Sequence, residues 1–192
     1  MSNFNGLELP DKPVITRVWA MPNKWTFQIK PIAELLTRYI GDGKGWIDPF
    51  AGMTSPAEFT NDLNPQRPTK YHLDALDFLM QLNDRKYKGV LFDPPYTPRQ
   101  VKECYDEVGR HMEQDDALLG YKRGQYKALI SPLIIPGGIS ISCGWNSIGM
   151  GKKFGFEILE ILLVCHGSDH NDTIVTVERK LHGNMELGVA RA

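Results

Sequence analysis

The segment Gly89-Val90-Leu91-Phe92-Asp93-Pro94-Pro95-Tyr96 joins an apolar run to a rigid polar turn. An apolar run of this length is typical of a buried strand, and two consecutive prolines cannot continue a central β-ladder. We therefore expect a strand that ends at Asp93. Because the prolines also restrict the backbone that follows, the Asp93 carboxylate and the Pro94 carbonyl oxygen are expected to keep fixed positions.

Segments on both sides of this run predict an alternating α/β fold. Apolar residues at helical spacing predict helices over residues 31–40, 99–112 and 121–131. Short apolar runs predict further strands over residues 45–50, 58–62, 71–74, 138–143, 157–165 and 173–180. The polar turn at residues 167–171 makes the last two strands an antiparallel hairpin. This order of elements favours an α/β sandwich with a mostly parallel sheet.

Four of the predicted strands end in or near an aspartate, namely Asp48, Asp62, Asp74 and Asp93. The carboxyl ends of parallel strands lie at the same edge of a sheet, and ligands bind in the crevice beyond that edge. We therefore expect these carboxylates to lie around one binding site.

The chemistry of the Asp93–Tyr96 turn suits the activation of a planar amine. The lone pair of such a nitrogen is delocalised, so two acceptors must hold both N–H groups and favour sp³ geometry as positive charge develops. The Asp93 carboxylate and the Pro94 carbonyl supply two acceptors, and the Tyr96 ring offers a flat face for a base that has left its stack. A strand-ending aspartate before a proline turn also has a purely structural interpretation, but the aromatic residue in fourth place favours catalysis.

Asp93 to Tyr96 and the loop Asp48-Pro49-Phe50-Ala51-Gly52 resemble motifs of the DNA amino-methyltransferases, particularly the Dam-like, phage-type adenine-specific (N6) enzymes with a DPPY motif. The resemblance covers about residues 25–180, and the cofactor motif precedes the catalytic motif as in the Dam-like arrangement. It implies a Rossmann-like class I fold with a seven-stranded sheet in one domain, residues 1–192. It also implies S-adenosylmethionine as cofactor and direct methyl transfer, without a metal, to N6 of adenine in DNA.

The resemblance assigns roles to individual residues. Catalysis falls to Asp93, Pro94, Pro95 and Tyr96. The cofactor is expected to contact Phe27, Lys30, Asp48, Pro49, Phe50, Ala51, Gly52, Asp62 and Asp74. The substrate is expected to contact Tyr96, Trp145, Lys122 and Arg123.

Several of these assignments have structural alternatives. Asp62 also suits a plain turn, and Asp77 is an alternative to Asp74. Phe27 and Trp145 also suit the core or its edge. The basic residues form either a solvated face or a phosphate-binding track, and they are Lys122, Arg123, Lys127, Lys152 and Lys153.

Two features depart from the family pattern. Only fourteen positions separate Asp48 from Asp62, so the helix after the first strand must be reduced to about one turn or replaced by a loop. A full target-recognition domain is absent from the sequence, and only residues 97–131 and the turn at 166–172 are candidates for a small recognition insert. Residues 1–14 predict an irregular arm.

Composition limits the function further. The net charge is −1, with 22 basic and 23 acidic residues, which lends no support to a basic nucleic-acid-binding face. The three cysteines have no zinc-ligand spacing, and we expect reduced thiols in a cytoplasmic protein. His166 and His170 are four residues apart, but they lie in a turn-rich segment. This favours a solvated loop over a pair of metal ligands. No apolar run reaches the about 20 residues of a membrane helix.

The expected partner is a nucleic acid, most simply DNA, with RNA as an alternative. Similar motifs occur in enzymes that methylate cytosine N4, guanine N2 in RNA and glutamine amides, because each of these targets presents a planar NH₂ group. A non-catalytic module that binds the cofactor is a further alternative. The sequence leaves the oligomeric state open.

Overall fold

A computed structural model describes residues 9–10, 12–82 and 85–181 of the chain. Its strands are β1 (Val14–Trp19), β2 (Trp46–Asp48), β3 (Phe59–Thr60), β4 (Tyr87–Phe92), β5 (Ile134–Gly144), β6 (Phe156–Cys165) and β7 (Thr173–Lys180). Its α-helices are α1 (Lys30–Ile40), α2 (Ala75–Gln81), α3 (Pro98–Asp106) and α4 (Leu119–Leu133). Short 3-10 turns occupy Thr26–Gln28, Gln114–Ala117 and Lys152–Phe154.

The described strands form one seven-stranded sheet in the order β1-β6-β7-β5-β4-β2-β3. Strand β7 runs antiparallel to both of its neighbours, and the other strand pairs are parallel. This confirms the predicted Rossmann-like α/β fold with a mostly parallel sheet and an antiparallel C-terminal pair. The carboxyl ends of the parallel strands therefore lie at one edge of the sheet.

The sequence prediction was wrong about two strands. Residues 71–74 form only an isolated bridge between Tyr71 and Asn61, and Asp74 instead caps the short helix α2. Strand β1 was missed because most of its residues are exposed on both faces, so no apolar alternation marks it. The irregular arm predicted for residues 1–14 lies largely outside the described residues, and Val14 already belongs to β1.

The predicted helices and strands otherwise exist with shifted ends. Helix α3 stops at Asp106 rather than at residue 112, and Gly109 in the turn after it takes a φ of 68°. Helix α4 is longer than predicted, since it starts at Leu119 and continues through Pro132 to Leu133. No helix follows β2, as the short spacing to β3 predicted.

Two apolar clusters cover the two faces of the sheet. Helix α1 packs Ile32, Leu35 and Tyr39 against one face, which includes Leu162 and Val177. Helices α2 and α4 cover the other face, where their core residues are Phe78, Leu79, Ile130 and Leu133. None of the helices that the structure describes is long and apolar enough to cross a membrane.

A buried carboxylate fixes α1 to the sheet. Glu160 on β6 accepts hydrogen bonds from the Tyr39 hydroxyl and from Arg38, both at 2.8 Å. Burial and the bond to Glu160 raise the pKa of Tyr39. Loss of either donor would leave the buried carboxylate without one of its hydrogen-bond partners, which costs free energy. The two hydrogen bonds therefore stabilise the packing of α1 on the sheet.

We predict that Tyr39→Phe lowers the free energy of unfolding by about 1.5–3 kcal/mol, because Glu160 loses a buried donor. Urea unfolding measures the difference. Tyr121→Phe is the matched control, since the Tyr121 side chain is 63% exposed and its hydroxyl has no hydrogen-bond partner among the described residues. Equal losses in both variants would contradict the role of Glu160.

Candidate active site

A cleft of about 660 Å³ opens at the carboxyl edge of the sheet. Asp62, Asp74 and Asp93 all line it, as predicted, although Asp74 lies at the start of α2 and not at the end of a strand. The segment that follows β1 forms another wall, through residues such as Trp25 and Phe27. The topology therefore brings three of the four predicted carboxylates into one cavity.

Asp93 lies directly after β4, where the prolines end the strand. Its carboxylate accepts hydrogen bonds from the Tyr96 hydroxyl and from the Thr26 side chain. Burial raises the pKa of Asp93 in spite of these donors. Burial also raises the pKa of Tyr96, and the negative charge of Asp93 adds to this effect.

The turn from Asp93 to Tyr96 is held on both sides. The Tyr96 backbone N–H donates to Gln100 Oε1 at 2.7 Å, and Thr97 and Gln100 form a capping box at the start of α3. On the other side, Arg123 Nη2 donates to the Pro95 carbonyl at 3.3 Å. No described residue donates a hydrogen bond to the Pro94 carbonyl oxygen, and Pro94 lines the cleft.

Trp145 follows β5 and contacts the ring of Tyr96, with ring centroids 5.6 Å apart and an angle of 57° between the planes. Its side chain is 45% exposed and lines the cleft, so it is not the buried core tryptophan of the structural alternative. The two rings touch each other, and the exposed part of Trp145 is open to a ligand.

The loop after β2 lines the cleft through Pro49, Phe50, Ala51 and Gly52. Gly52 has a φ of 57°, and a Cβ atom there would lie 3.0 Å from the Trp25 ring. Its N–H donates to Asp62 Oδ2 at 3.1 Å, while Asp62 Oδ1 accepts from the Asn64 N–H at 2.8 Å. Asp62 is therefore both a turn residue and a carboxylate of the cleft.

Asp74 has two partners at the cleft wall. It caps α2 by accepting from the Leu76 N–H at 3.0 Å, and its other oxygen pairs with Arg110 at 3.0 Å. Asp77, the alternative in the sequence, lies exposed on α2 and does not line the cleft. Phe27 lines the cleft and also packs against the core beside α1.

Two residues assigned to the cofactor lie outside the cleft. Lys30 is exposed at the start of α1 and does not line the cavity. Asp48 is fully buried and accepts hydrogen bonds from Ser55 Oγ at 2.7 Å and from the Phe50 N–H at 2.9 Å. Burial raises the pKa of Asp48 to about 7. Asp48 therefore holds the loop through hydrogen bonds from beneath it and does not contact the cleft.

His166 is buried, contrary to the expectation of a solvated loop. Its Nδ1 lies 2.9 Å from the Ala20 carbonyl oxygen, and its Nε2 lies 2.9 Å from Thr173 Oγ1. The prediction failed because β1, whose exit segment covers His166, was not recognised. His170 remains exposed and lines the cleft.

The cations near the cleft are mostly engaged with other groups. Lys122 pairs with the buried Asp116 at 3.2 Å, and Arg123 binds the Pro95 carbonyl. Burial lowers the pKa of Lys127. Lys152 and Lys153 do not line the cleft. The predicted basic residues thus contribute Lys122 and Arg123 to the cleft wall, but as partners of other groups.

Sequence reasoning missed several residues of the cleft. Trp25 covers Gly52, and the Arg67 guanidinium lies 5.3 Å from the centroid of the Trp25 ring. Arg67 also pairs with Glu107 at 2.6 Å, which ties this wall to α3. Only Trp25 carried a signal in the sequence, since it stands two residues before Phe27 in a segment already assigned to the cleft.

No family model matches the chain, and no curated protein matches it. Among solved structures, TrmN from Thermus thermophilus superposes with a TM-score of 0.51 and 16% identity, covering 80% of this chain and 49% of that one. A protein from Haemophilus influenzae named as a methylase gives a TM-score of 0.46 and 13% identity, covering 79% of this chain and 87% of that one. A methyltransferase homologue from Pyrococcus horikoshii gives 0.42 and 14%, with coverages of 90% and 64%.

The chain therefore spans about half the length of the TrmN chain that it matches. At 16% identity this likeness concerns the fold, which agrees with the Rossmann-like sheet described above. The roles of individual residues rest on the geometry of the cleft.

We predict that Asp48 makes the folded chain less stable as pH rises. Its pKa is higher in the folded chain, about 7, than the ordinary 3.8 of the unfolded chain. The folded state therefore binds more protons between these values, and the free energy of unfolding falls as pH rises through that window.

Asp48→Asn removes this titration while keeping an amide oxygen for the Phe50 N–H. Relative to the native chain, the variant should gain stability between pH 4 and pH 7, by up to about 4 kcal/mol. Urea unfolding at a series of pH values measures the gain, and buried groups present in both proteins cancel in the difference. Parallel stability curves would show that Asp48 titrates normally.

Proposed function

We propose that the chain is an S-adenosylmethionine-dependent methyltransferase that acts on the exocyclic N6 amine of adenine in DNA. One observation carries this proposal. The Asp93 carboxylate and the unpartnered Pro94 carbonyl lie together on a fixed turn, beside the rings of Tyr96 and Trp145, in a cleft at the carboxyl edge of the sheet. The fold likeness to TrmN supports a methyltransferase, and the DPPY motif favours a planar amine as its target.

The part of the cleft beside β2 and β3 fits the cofactor. The backbone at Gly52 allows close approach, and each oxygen of Asp62 has a lone pair left for the ribose hydroxyls. The rings of Trp25 and Phe27 offer aromatic faces that favour a cationic sulfonium. The volume of about 660 Å³ lies within the range usual for small-molecule sites. When bound, the cofactor would supply an electrophilic methyl group, and its sulfonium would leave as a neutral thioether.

Asp93 and Pro94 are the residues that activate the amine. One N–H of the amine donates to the carboxylate and the other to the Pro94 carbonyl, so the lone pair turns out of the plane of the ring. As the nitrogen takes up the methyl group it gains positive charge, which the fixed carboxylate stabilises without reorganisation. The extra proton leaves to Asp93 and then to solvent. Because its pKa is raised, Asp93 is a better proton acceptor than an exposed aspartate.

The aromatic residues hold the base. Tyr96 and Trp145 contact each other, so a base stacks on their exposed surface or enters after Trp145 has moved. Lys122 and Arg123 line the same wall, although their own partners limit their contribution to phosphate binding. We therefore expect contacts with the base to contribute more to substrate binding than contacts with phosphates.

Methylation of cytosine N4, or of a base in RNA, is the alternative with the same chemistry. Each substrate presents a planar NH₂ to the same two acceptors. A non-catalytic cofactor-binding module is the alternative of another class, and the complete Asp93–Tyr96 turn argues against it.

We predict that Asp93→Asn lowers kcat by about 10²-fold or more, because the amide cannot stabilise the developing charge as a carboxylate does. Binding of S-adenosylmethionine, measured by calorimetry, should change little. Asp77→Asn is the matched control, since Asp77 is exposed outside the cleft. Undiminished methyl transfer by Asp93→Asn would exclude Asp93 as the acceptor.

A second prediction concerns the substrate. Incubation with labelled S-adenosylmethionine and separate pools of DNA and RNA, followed by nucleoside analysis, should place the label in N6-methyladenine of DNA. Label in N4-methylcytosine or in RNA would replace the proposed substrate but keep the mechanism. Cofactor binding without labelled product in any pool would favour the non-catalytic module.

A further inference from the structure

Part of the sheet face opposite α1 is not covered by any described helix. Ile15, Arg17 and Trp19 of β1 lie level with Ile161, Leu163 and Cys165 of β6 in the parallel register. Val18 packs into the core beside α1. Because side chains alternate along a strand, residues 15, 17 and 19 face the other side of the sheet. We call this surface the open face, and it comprises Ile15, Arg17, Trp19, Ile161, Leu163 and Ile174.

The apolar residues of the open face lie outside both core clusters. Ile161, Leu163 and Ile174 are only half-buried, although their neighbours Leu162, Val164 and Val175 are core residues. The side chains of Ile15 and Trp19 are 72% and 66% exposed. The open face is therefore an apolar sheet surface that the described part of the chain leaves uncovered.

The connection between β5 and β6 explains this gap. In α/β folds, helices in the crossovers cover both faces of a parallel sheet. Here residues 145–155 make the crossover with a single 3-10 turn, Lys152–Phe154. Helix α4 and this turn cover β4 and β5, and no α-helix remains for β6 and β1.

The charges around the open face are mainly basic. Arg17 lies exposed within it, and Lys152 and Lys153 are exposed in the turn that leads into β6. None of these three cations forms an ion pair with a described residue. Asp169, in the turn between β6 and β7, is an exposed carboxylate at the other end of β6.

We propose that the open face binds an amphipathic helix of another protein, which packs an apolar stripe on β7, β6 and β1 and places carboxylates at Arg17, Lys152 and Lys153. A helix is the element that the fold lacks at this position, and apolar patches of this kind mark protein interfaces. A second copy of the chain fits less well, because a symmetric contact would bring together two faces that carry the same excess of positive charge. This inference does not depend on the proposed methyl transfer.

Two synthetic helical peptides with the same leucine stripe test the proposal. One carries glutamates beside the stripe and the other carries lysines, and fluorescence anisotropy measures binding of each labelled peptide to the full chain. We expect the glutamate peptide to bind at micromolar concentration and the lysine peptide at least tenfold more weakly. Arg17→Glu should reduce this preference, because it replaces one of the three cations with a carboxylate.

Leu163→Ser should weaken binding of the glutamate peptide at least tenfold. Met80→Ser is the matched control, because Met80 is 51% exposed on α2, away from the open face, and should leave binding unchanged. Circular dichroism establishes that both variants are folded.

Four results would overturn the proposal. Equal affinity for the two peptides, or no effect of Leu163→Ser, would mean that the open face does not select the peptide. Absence of peptide binding would mean that no such helix docks there, including the case in which residues outside the described ranges already cover the face. A dimer in sedimentation that Leu163→Ser dissociates would identify a second copy as the occupant.

Discussion

The arrangement of the cleft depends on the point at which β4 must stop. Pro94 and Pro95 have no N–H groups to continue the ladder with β5, so the strand ends at Phe92 and the chain turns out of the sheet. Asp93 is thereby placed at the edge of the sheet, and the capping box of α3 and the side chain of Arg123 hold the turn from two sides. A backbone constraint of the sequence thus becomes a fixed pair of oxygen acceptors.

The sequence predicted the fold class and most of the cleft, because both follow from local patterns. Apolar runs identified β4, β6 and β7, and aspartates at predicted strand ends indicated that Asp62, Asp74 and Asp93 share one cleft. Strand β1 was not predicted, since it pairs only with β6 at the sheet edge and exposes residues such as Ile15. Asp48 was assigned to the cleft although it is buried below it, because the sequence does not show how a loop folds over its own strand. Trp25 and Arg67 meet only through tertiary packing.

Two crossovers of the described sheet have no α-helix. The connection after β2 has no helix, and Asp48 and Asp62 order its loop instead through bonds to Ser55 and to the Gly52 N–H. The connection after β5 also has no α-helix, and Glu178 orders it by accepting from the Met150 and Gly151 N–H groups. In both cases a carboxylate with backbone donors replaces the packing of a helix. Such loops are shorter than a crossover with a helix. The loop between β5 and β6 also leaves part of the sheet uncovered.

The pairing of β1 with β6 has a consequence for biosynthesis. The Ala20 carbonyl and the His166 ring, which close this pair near the cleft, are 146 residues apart in the chain. Contacts between residues so far apart in sequence form late, because the entropy of closing a large loop is lost before the contacts stabilise the chain. On the ribosome, β1 emerges early and waits as an unpaired apolar edge until β6 has been made. The wall of the cleft that follows β1 is therefore expected to assemble only after β6 has been made.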